Sequence, residues 1–162
     1  MVLKVLMFDS KDLDADAVIV GFHEDVRPLK GAAGALDWLL CGALSQLIIQ
    51  KKVRGALGEV ALLTSRGKIA ADKIFMVGLG QRTSASPESL RAAARAAAVS
   101  AVNAGVARAA MDFFPLGSVP SDDALTAVRQ GLAEGAGSHP IDFTLLAQDA
   151  ATFERMARVV RA

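Results

Sequence analysis

Short apolar runs along the chain mark the strands of a buried sheet. Val2–Phe8 and Ala17–Phe22 are hydrophobic at nearly every position. Runs that do not alternate with polar residues are typical of strands covered on both faces. Further runs of this kind follow at Val60–Thr64, Ile74–Leu79, Ala109–Phe114 and Phe143–Ala147. The pattern therefore predicts six strands in a sheet that helices cover on both sides.

Amphipathic stretches between the apolar runs predict four helices. Apolar residues recur at helical spacing from Leu36 to Ile48, so we expect one continuous helix there. Ser86 followed by Pro87 favours the start of a second helix, because serine caps a helix and proline fits its first position. The remaining helices are expected at Ser121–Glu134, with Gly135 as terminator, and after Asp149.

The order of these elements predicts an α/β fold. Strands and helices alternate through most of the chain, which is typical of a three-layer α/β/α domain with a mostly parallel mixed sheet of about six strands. The connection Ser10–Asp16 is too short for a helical crossover. The first two strands are therefore expected to be antiparallel or not adjacent, and residues 1–162 to form one domain.

Composition narrows the class of protein. The chain has 162 residues, of which 52% are hydrophobic, and it carries a net charge of +1 with both signs scattered along it. That charge gives no basic field for nucleic acid, and no apolar run reaches the ~18 residues that cross a bilayer. A single cysteine excludes an internal disulfide. With no secretion signal at the N-terminus, we expect a cytoplasmic protein without nucleic-acid or membrane partners.

Two glycine-containing loops are the candidate binding sites. His23–Gly34 follows the second strand and Pro115–Pro120 follows the fifth. Ligands of open α/β sheets gather at the carboxyl ends of strands, and glycines let backbone N–H groups approach an anion at a helix N-terminus. The alternative is that Gly31, Gly34 and Gly117 only form turns and tight helix–sheet contacts.

Other polar residues have simpler explanations. His23, Glu24 and Asp25 are expected in a solvated loop, because they have no further metal ligands at workable spacing. Cys41 is expected to be a buried small hydrophobe. The segment Val77–Gln81, VGLGQ, is similar to a dinucleotide-binding fingerprint but lacks its third glycine, so a close backbone turn is the preferred interpretation.

A series of segments resembles the N-terminal domain of the cytosolic leucyl aminopeptidase family. These segments are AVIVGF, PLKGAAGALDWLLCGALSQLI, GEVALLTS and IFMVGLGQR, followed by an alanine-rich helix, and they span Ala17 to about Ala98. The resemblance implies a macrodomain-like fold. The later segments DFFPLGSVPSDDALTAVRQGL and DFTLLAQDAATFERMARVV are themselves similar to the second phosphate loop and the closing strand and helix of macrodomains.

The resemblance also implies where a ligand would bind. Asp16 stands where macrodomains place an adenine-contacting aspartate. Two segments occupy the positions of the macrodomain phosphate loops. The first comprises Gly31, Ala32, Ala33 and Gly34, and the second comprises Leu116, Gly117, Ser118 and Val119. Alanines replace glycines in the first loop, and Glu24 beside it opposes an anion, which weakens the case for a diphosphate.

The family's chemistry belongs to a different domain. The resemblance places catalysis in a C-terminal domain with a two-metal centre and the signature NTDAEGR, which does not occur in this sequence. We therefore expect a stand-alone non-catalytic domain without metal or cofactor that acts in protein interaction, oligomerisation or regulation. Its partner would be a second copy or a separate peptidase.

Two alternatives stay open. One is a module that binds ADP-ribose or another nucleotide phosphate through the two loops. The other, ranked last, is a hydrolase with a site around His23, Glu24 and Asp25, for which the sequence offers neither a nucleophile nor a second ligand. An enzymatic role is thus left open but not favoured.

Overall fold

The computed structural model describes residues 1–8, 14–113 and 120–162. Within these ranges the chain forms six strands and five α-helices. In chain order they are β1 (Val2–Met7), β2 (Ala17–Phe22), α1 (Gly31–Leu39), α2 (Ala43–Ile49), β3 (Val60–Thr64), β4 (Lys73–Gly78), α3 (Pro87–Asn103), β5 (Arg108–Asp112), α4 (Asp122–Ala136), β6 (Asp142–Ala147) and α5 (Ala150–Arg161). A 3₁₀ turn at Arg82–Ser84 precedes α3.

The six strands form one mixed sheet in the order β1-β6-β5-β2-β4-β3. All neighbours are parallel except β3, which pairs antiparallel with β4 from Val60 opposite Val77 to Thr64 opposite Lys73. β1 and β2 are not adjacent, because β1 pairs with β6 at the far side of the sheet. The prediction of an α/β fold with a mostly parallel six-stranded sheet is confirmed.

Alternate residues of the strands face two separate cores. In β2, Ile19 packs with helices α3, α4 and α5, while Val20 packs with α1 and α2 on the opposite face. Both residues are fully buried. Helices therefore cover both faces of the sheet, which explains why its central strands lack the alternation of a half-exposed sheet.

The predicted helix from Leu36 to Ile48 is wrong as a single element. The structure breaks it into α1 and α2, whose axes differ by 106°. Asp37 stabilises the break, because its carboxylate accepts hydrogen bonds from Ser45 N at 2.9 Å and Ser45 Oγ at 2.5 Å. Gly42 provides the left-handed backbone between the helices, at φ 82°. Helical spacing continues across the break, so it did not reveal the turn.

The predicted end of α4 is also wrong. Gly135 lies inside the helix, which continues to Ala136. A Cβ on Gly135 would lie 2.5 Å from the carbonyl oxygen of Arg95, and one on Gly131 would lie 2.2 Å from that of Arg91. These glycines let α4 approach the alanine-rich α3 closely. Gly135 is therefore a packing residue and not a terminator.

The helix starts agree with the capping signals in the sequence. Ser86 accepts a hydrogen bond from Ser89 N at 3.1 Å, and Asp149 accepts one from Thr152 N at 2.7 Å. Of the described helices, none is by itself long and apolar enough to cross a bilayer; α1 and α2 pass that test only when the bent pair is counted together.

Candidate functional site

A cavity of about 210 Å³ opens where β2, β4 and β5 end. Its lining combines the apolar side chains of Phe22, Val26 and Leu29 with four polar residues: His23, Lys30, Arg82 and Asp112. We call this cavity the strand-end cleft. Its position is the one where open α/β sheets bind ligands, because loops diverge from the carboxyl ends of parallel strands.

The first candidate phosphate loop contributes to the cleft only in part. Gly31 and Ala32 line it at the N-terminus of α1, where Gly31 has a left-handed φ of 61°. Ala33 is buried in the core beneath α1. A Cβ on Gly34 would lie 2.5 Å from the carbonyl oxygen of Leu29, so this glycine permits a close backbone contact. The helix N-terminus and the ammonium group of Lys30 make this side of the cleft positive.

The prediction that His23 lies in a solvated loop is wrong, because the residue is buried, with 7% of its surface exposed. Its Nδ1 lies 3.1 Å from the carbonyl oxygen of Gly80. A carbonyl oxygen can only accept, so Nδ1 carries the proton in this hydrogen bond. His23 thereby ties the end of β2 to the turn after β4, while its neighbours Glu24 and Asp25 are exposed.

Asp25 also fixes the wall of the cleft. It accepts a hydrogen bond from the backbone N–H of Arg82 at 2.9 Å, at the start of the 3₁₀ turn. This hydrogen bond is the main reason that the pKa of the Asp25 carboxyl lies below its ordinary value. His23, Asp25 and Gly80 therefore act together to hold the loops that carry Arg82.

Asp112 is a polar residue of the cleft that sequence reasoning missed. It ends β5, is 5% exposed, and accepts a hydrogen bond from Gln148 Nε2 at 2.5 Å. Its carboxylate opposes the positive side of the cleft formed by Lys30 and Arg82. The predicted strand Ala109–Phe114 placed Asp112 inside the strand, whereas in the structure the strand ends at Asp112.

Asp16 does not join the cleft. It precedes β2, whereas the cleft lies beyond the other end of that strand, about 20 Å away at 3.3 Å per residue. Its carboxylate accepts hydrogen bonds from Arg108 N at 2.9 Å and from the Arg108 guanidinium at 2.8 Å. The guanidinium hydrogen bond is the largest cause of its lowered pKa. Leu116, Gly117, Ser118 and Val119 lie outside the described residues.

Trp38, Leu39 and Cys41 form an exposed surface at the turn between α1 and α2. We call this surface the elbow. Trp38 is 82% exposed and Leu39 is 46% exposed. The prediction that Cys41 is buried is wrong, because it lies in the turn with φ 54° and its side chain is exposed. Beside these residues runs a groove lined by Pro28, Leu29, Gly34, Asp37 and Gly42.

The segment VGLGQ forms a close backbone turn. A Cβ on Gly78 would lie 2.0 Å from the carbonyl oxygen of Ala56, and Gly80 has a φ of 72°. Gly80 N donates to Gly55 O at 2.9 Å, which joins the turn to the loop before β3. Across residues 1–8, 14–113 and 120–162, no cluster of three or more His, Cys, Asp or Glu side chains could hold a metal ion.

Comparison with known proteins places these features in a family. Residues 19–138 match the model of the cytosol aminopeptidase family, N-terminal domain. A probable cytosol aminopeptidase of Geobacter sulfurreducens is 32% identical over 87% of this chain, and one of Geotalea uraniireducens is 36% identical over 64% of it. The chain spans only 28% and 21% of the length of these two relatives.

Solved structures with the same fold include aminopeptidases and macrodomains. A tomato leucine aminopeptidase mutant matches 98% of this chain with a TM-score of 0.71 at 17% identity, the chain covering 35% of it. An Oceanobacillus iheyensis macrodomain mutant matches 98% with a TM-score of 0.77 at 11% identity, the chain covering 90% of it. A Trypanosoma brucei macrodomain, solved in complex with ADP, gives a TM-score of 0.70 at 15% identity over 98% of this chain and 67% of its own. The fold is therefore macrodomain-like.

Proposed function

Because the chain belongs to the cytosol aminopeptidase family, as a form of that family's N-terminal domain, we propose that residues 1–162 form one non-catalytic domain that acts through protein contacts. Its partner is the peptidase part of a family member, in the same polypeptide or in a separate one. The proposed role is to bind and regulate that part. The cytoplasm is the proposed location, since the relatives are named cytosol aminopeptidases.

The exposure of Trp38 carries this proposal. An indole that is 82% exposed is uncommon in a folded domain, whereas tryptophan is enriched among the residues that dominate protein interfaces. Leu39 adds apolar area beside it, and the hydrogen bonds of Asp37 to Ser45 hold the turn in place. The elbow is therefore a preorganised apolar projection.

The length of the relatives favours a peptidase partner. In the two bacterial relatives above, the matched part is 28% and 21% of the whole chain. A domain of this kind thus occurs beside a much longer remainder, against which some of its surface can pack. An apolar projection suits such a permanent contact better than a transient one.

Calorimetric titration with the remainder of the Geobacter sulfurreducens relative tests the contact. We expect binding to the present chain, and Leu39→Asp should weaken it at least about tenfold by placing a charge in the apolar interface. Ile49→Asp is the matched control, since Ile49 is 68% exposed at the end of α2 and outside the elbow. Equal affinities of both variants, or no binding, would refute the elbow contact.

The non-catalytic part of the proposal has its own assay. Leucine p-nitroanilide is incubated with the purified chain and added Mn²⁺ or Zn²⁺. We expect no turnover above buffer. Hydrolysis that persists through repurification would show that this chain carries its own peptidase chemistry.

A second candidate function is the binding of a nucleotide phosphate in the strand-end cleft. It is favoured by Lys30, Arg82 and the N-terminus of α1, which all border the cleft, and by the likeness to a macrodomain solved with ADP. Asp112 on the cleft wall and the cavity volume of about 210 Å³ weigh against tight binding.

Calorimetry with ADP and ADP-ribose tests the cleft. If the cleft binds them, Lys30→Glu should weaken affinity at least about tenfold by reversing a charge near the phosphates, while Lys52→Glu, in the turn after α2, should leave it unchanged. The absence of heat at millimolar ligand would eliminate this candidate.

A further inference from the structure

β3 is the edge strand of the sheet, and three of its five residues direct their backbone groups away from β4. Gly78 N donates to Glu59 O, and Ser65 N donates to Asp72 O. In an antiparallel ladder, alternate residues direct both of their backbone groups toward the same neighbour. The N–H and C=O groups of Val60, Leu62 and Thr64 therefore point outward. Among the described residues, β4 is the one strand that pairs with β3.

This edge has none of the usual protection against pairing. Its sequence is VALLT, without charge or proline, and Leu62 at its centre is 52% exposed. The opposite edge of the sheet, β1, carries Lys4 in its middle. A charged residue is a common means of preventing a strand from pairing with another chain. The contrast indicates that the β3 edge is built to be covered.

The charges at the two ends of β3 indicate which partner covers it. Glu59, whose carboxylate accepts hydrogen bonds from Arg54 N and Gly55 N, precedes the strand, and Arg66 lies just beyond Ser65 at the other end. When a second copy pairs antiparallel, the acidic end of each strand lies beside the basic end of the other strand. The two-fold axis makes these two contacts equivalent. A parallel copy would place like charges together. The edge is thus complementary to itself in the antiparallel sense.

We propose that two copies of this chain associate through their β3 edges, antiparallel across a two-fold axis at Leu62, so that their sheets become continuous. With Leu62 opposite its own copy, Val60 lies opposite Thr64 of the other chain. This register pairs all three outward-facing residues and forms about six backbone hydrogen bonds. A shift by two residues in either direction leaves one of the three unpaired.

The side chains agree with this register. Val60, Leu62 and Thr64 lie on the face of the sheet covered by α3, because Val60 packs against that core. A two-fold axis perpendicular to the sheet keeps equivalent faces together, so the two Leu62 side chains meet and bury each other's exposed surface. A contact confined to one strand is small, and we therefore expect association to be weak and dependent on concentration.

This inference extends the proposed protein-contact function to a second surface. The β3 edge shares no residue with the elbow, so either contact can fail without the other. The occupant here is a second copy of the chain and not a peptidase.

Sedimentation equilibrium at protein concentrations up to about 1 mM tests the association. We expect a monomer–dimer equilibrium, which Leu62→Lys weakens about tenfold or more by placing two like charges opposite each other. Ile49→Lys is the control for added charge at an exposed apolar residue of α2 and should leave the equilibrium unchanged. A monomer at every concentration, or a dimer that Leu62→Lys leaves intact, would overturn the proposal.

Cysteine cross-linking tests the register in the Cys41→Ser background, in which no other thiol is present. Across the proposed axis the two copies of residue 62 have Cα atoms about 5.5 Å apart, within reach of a disulfide. The two copies of residue 64 are about 13 Å apart along the strands. Under mild oxidation Leu62→Cys should give a covalent dimer and Thr64→Cys should not. Equal yields from the two variants, or dimer from Thr64→Cys alone, would overturn the register.

Discussion

At the scale of single residues, many polar groups of this domain hold loops together. His23 joins the end of β2 to the turn after β4, Asp25 fixes the 3₁₀ turn, and Glu59 accepts hydrogen bonds from Arg54 N and Gly55 N at 2.8 and 2.7 Å. Partial burial raises the pKa of the Glu59 carboxyl, but these hydrogen bonds together lower it below its ordinary value. These polar residues therefore stabilise the loops through hydrogen bonds, a role that their positions in the sequence alone do not reveal.

The ion pair of Asp16 with Arg108 gives a prediction about acid stability. Its carboxyl pKa is lowered in the folded state, chiefly by the hydrogen bond from Arg108, so the stabilisation is present above the pKa of the unfolded chain. It is lost as the pH falls below about 4. Asp16→Asn should lower the free energy of unfolding at pH 7 by less than about 1 kcal/mol, because the pair is partly exposed to solvent.

Urea denaturation at pH 7, 5, 4 and 3 measures this effect. The difference between wild type and Asp16→Asn should be constant from pH 7 to 5 and should shrink toward pH 3. A difference that grows as the pH falls would contradict the assigned role of Asp16.

At the scale of elements, small residues set how closely helices approach each other. α3 and α4 pack through Gly131 and Gly135 on one helix against Ala94 and Ala98 on the other. From its sequence alone, Gly135 was expected to end the helix, because glycine commonly ends helices. Only the neighbouring helix, which is 40 residues away in sequence, reveals that this glycine is needed for contact.

Gly135→Ala is therefore expected to lower the free energy of unfolding, whereas an ordinary glycine-to-alanine change in a helix raises it. Such a change normally stabilises a helix by about 1 kcal/mol, but here the new Cβ would lie 2.5 Å from Arg95 O. We expect a net loss of about 1 to 3 kcal/mol in the free energy of unfolding. Gly105→Ala is the control, because no atom lies within 4 Å of its Cβ position and only backbone strain opposes it. A stabilised Gly135→Ala variant would show that α3 and α4 are not in close contact.

The elbow gives the second prediction at this scale. Asp37→Ala removes the acceptor of Ser45 N and Ser45 Oγ, so α2 loses its fixed start. We expect a loss of about 1 kcal/mol and faster hydrogen exchange in Ala43–Ile49. Asp123→Ala, in the exposed first turn of α4, is the matched control. Unchanged exchange in α2 would mean that Asp37 does not hold the turn.

Comparison of these elements with the predicted ones shows which features of the fold could be predicted from the sequence. The six strands were expected, with ends that agree or differ by at most two residues, because buried strands have a clear apolar pattern. The break between α1 and α2 was missed, since apolar spacing continues from Leu40 to Ala43 and the hydrogen bonds that Asp37 accepts from Ser45 connect residues eight positions apart. For the candidate site, Gly31 and Ala32 were found by their loop position. Asp112 was missed because its role depends on strands brought together by the fold.

At the scale of the whole molecule, two surfaces carry the proposed protein contacts. The elbow presents an exposed tryptophan, and the β3 edge presents backbone groups that point away from β4 around an exposed leucine. The strand-end cleft, by contrast, is small and has charges of both signs. This distribution supports the proposal that the domain acts through contacts with other proteins, with the cleft as the second candidate site.

The emission of Trp38, the single tryptophan of the chain, tests this account most directly. Its indole is 82% exposed, so the free chain should emit at the long wavelength of a solvated tryptophan. Titration with the remainder of the Geobacter sulfurreducens relative should shift the emission to shorter wavelength and saturate, as the indole leaves water. An emission maximum that stays unchanged while calorimetry shows binding would place the contact elsewhere, and an unchanged maximum without binding would contradict the protein-contact function.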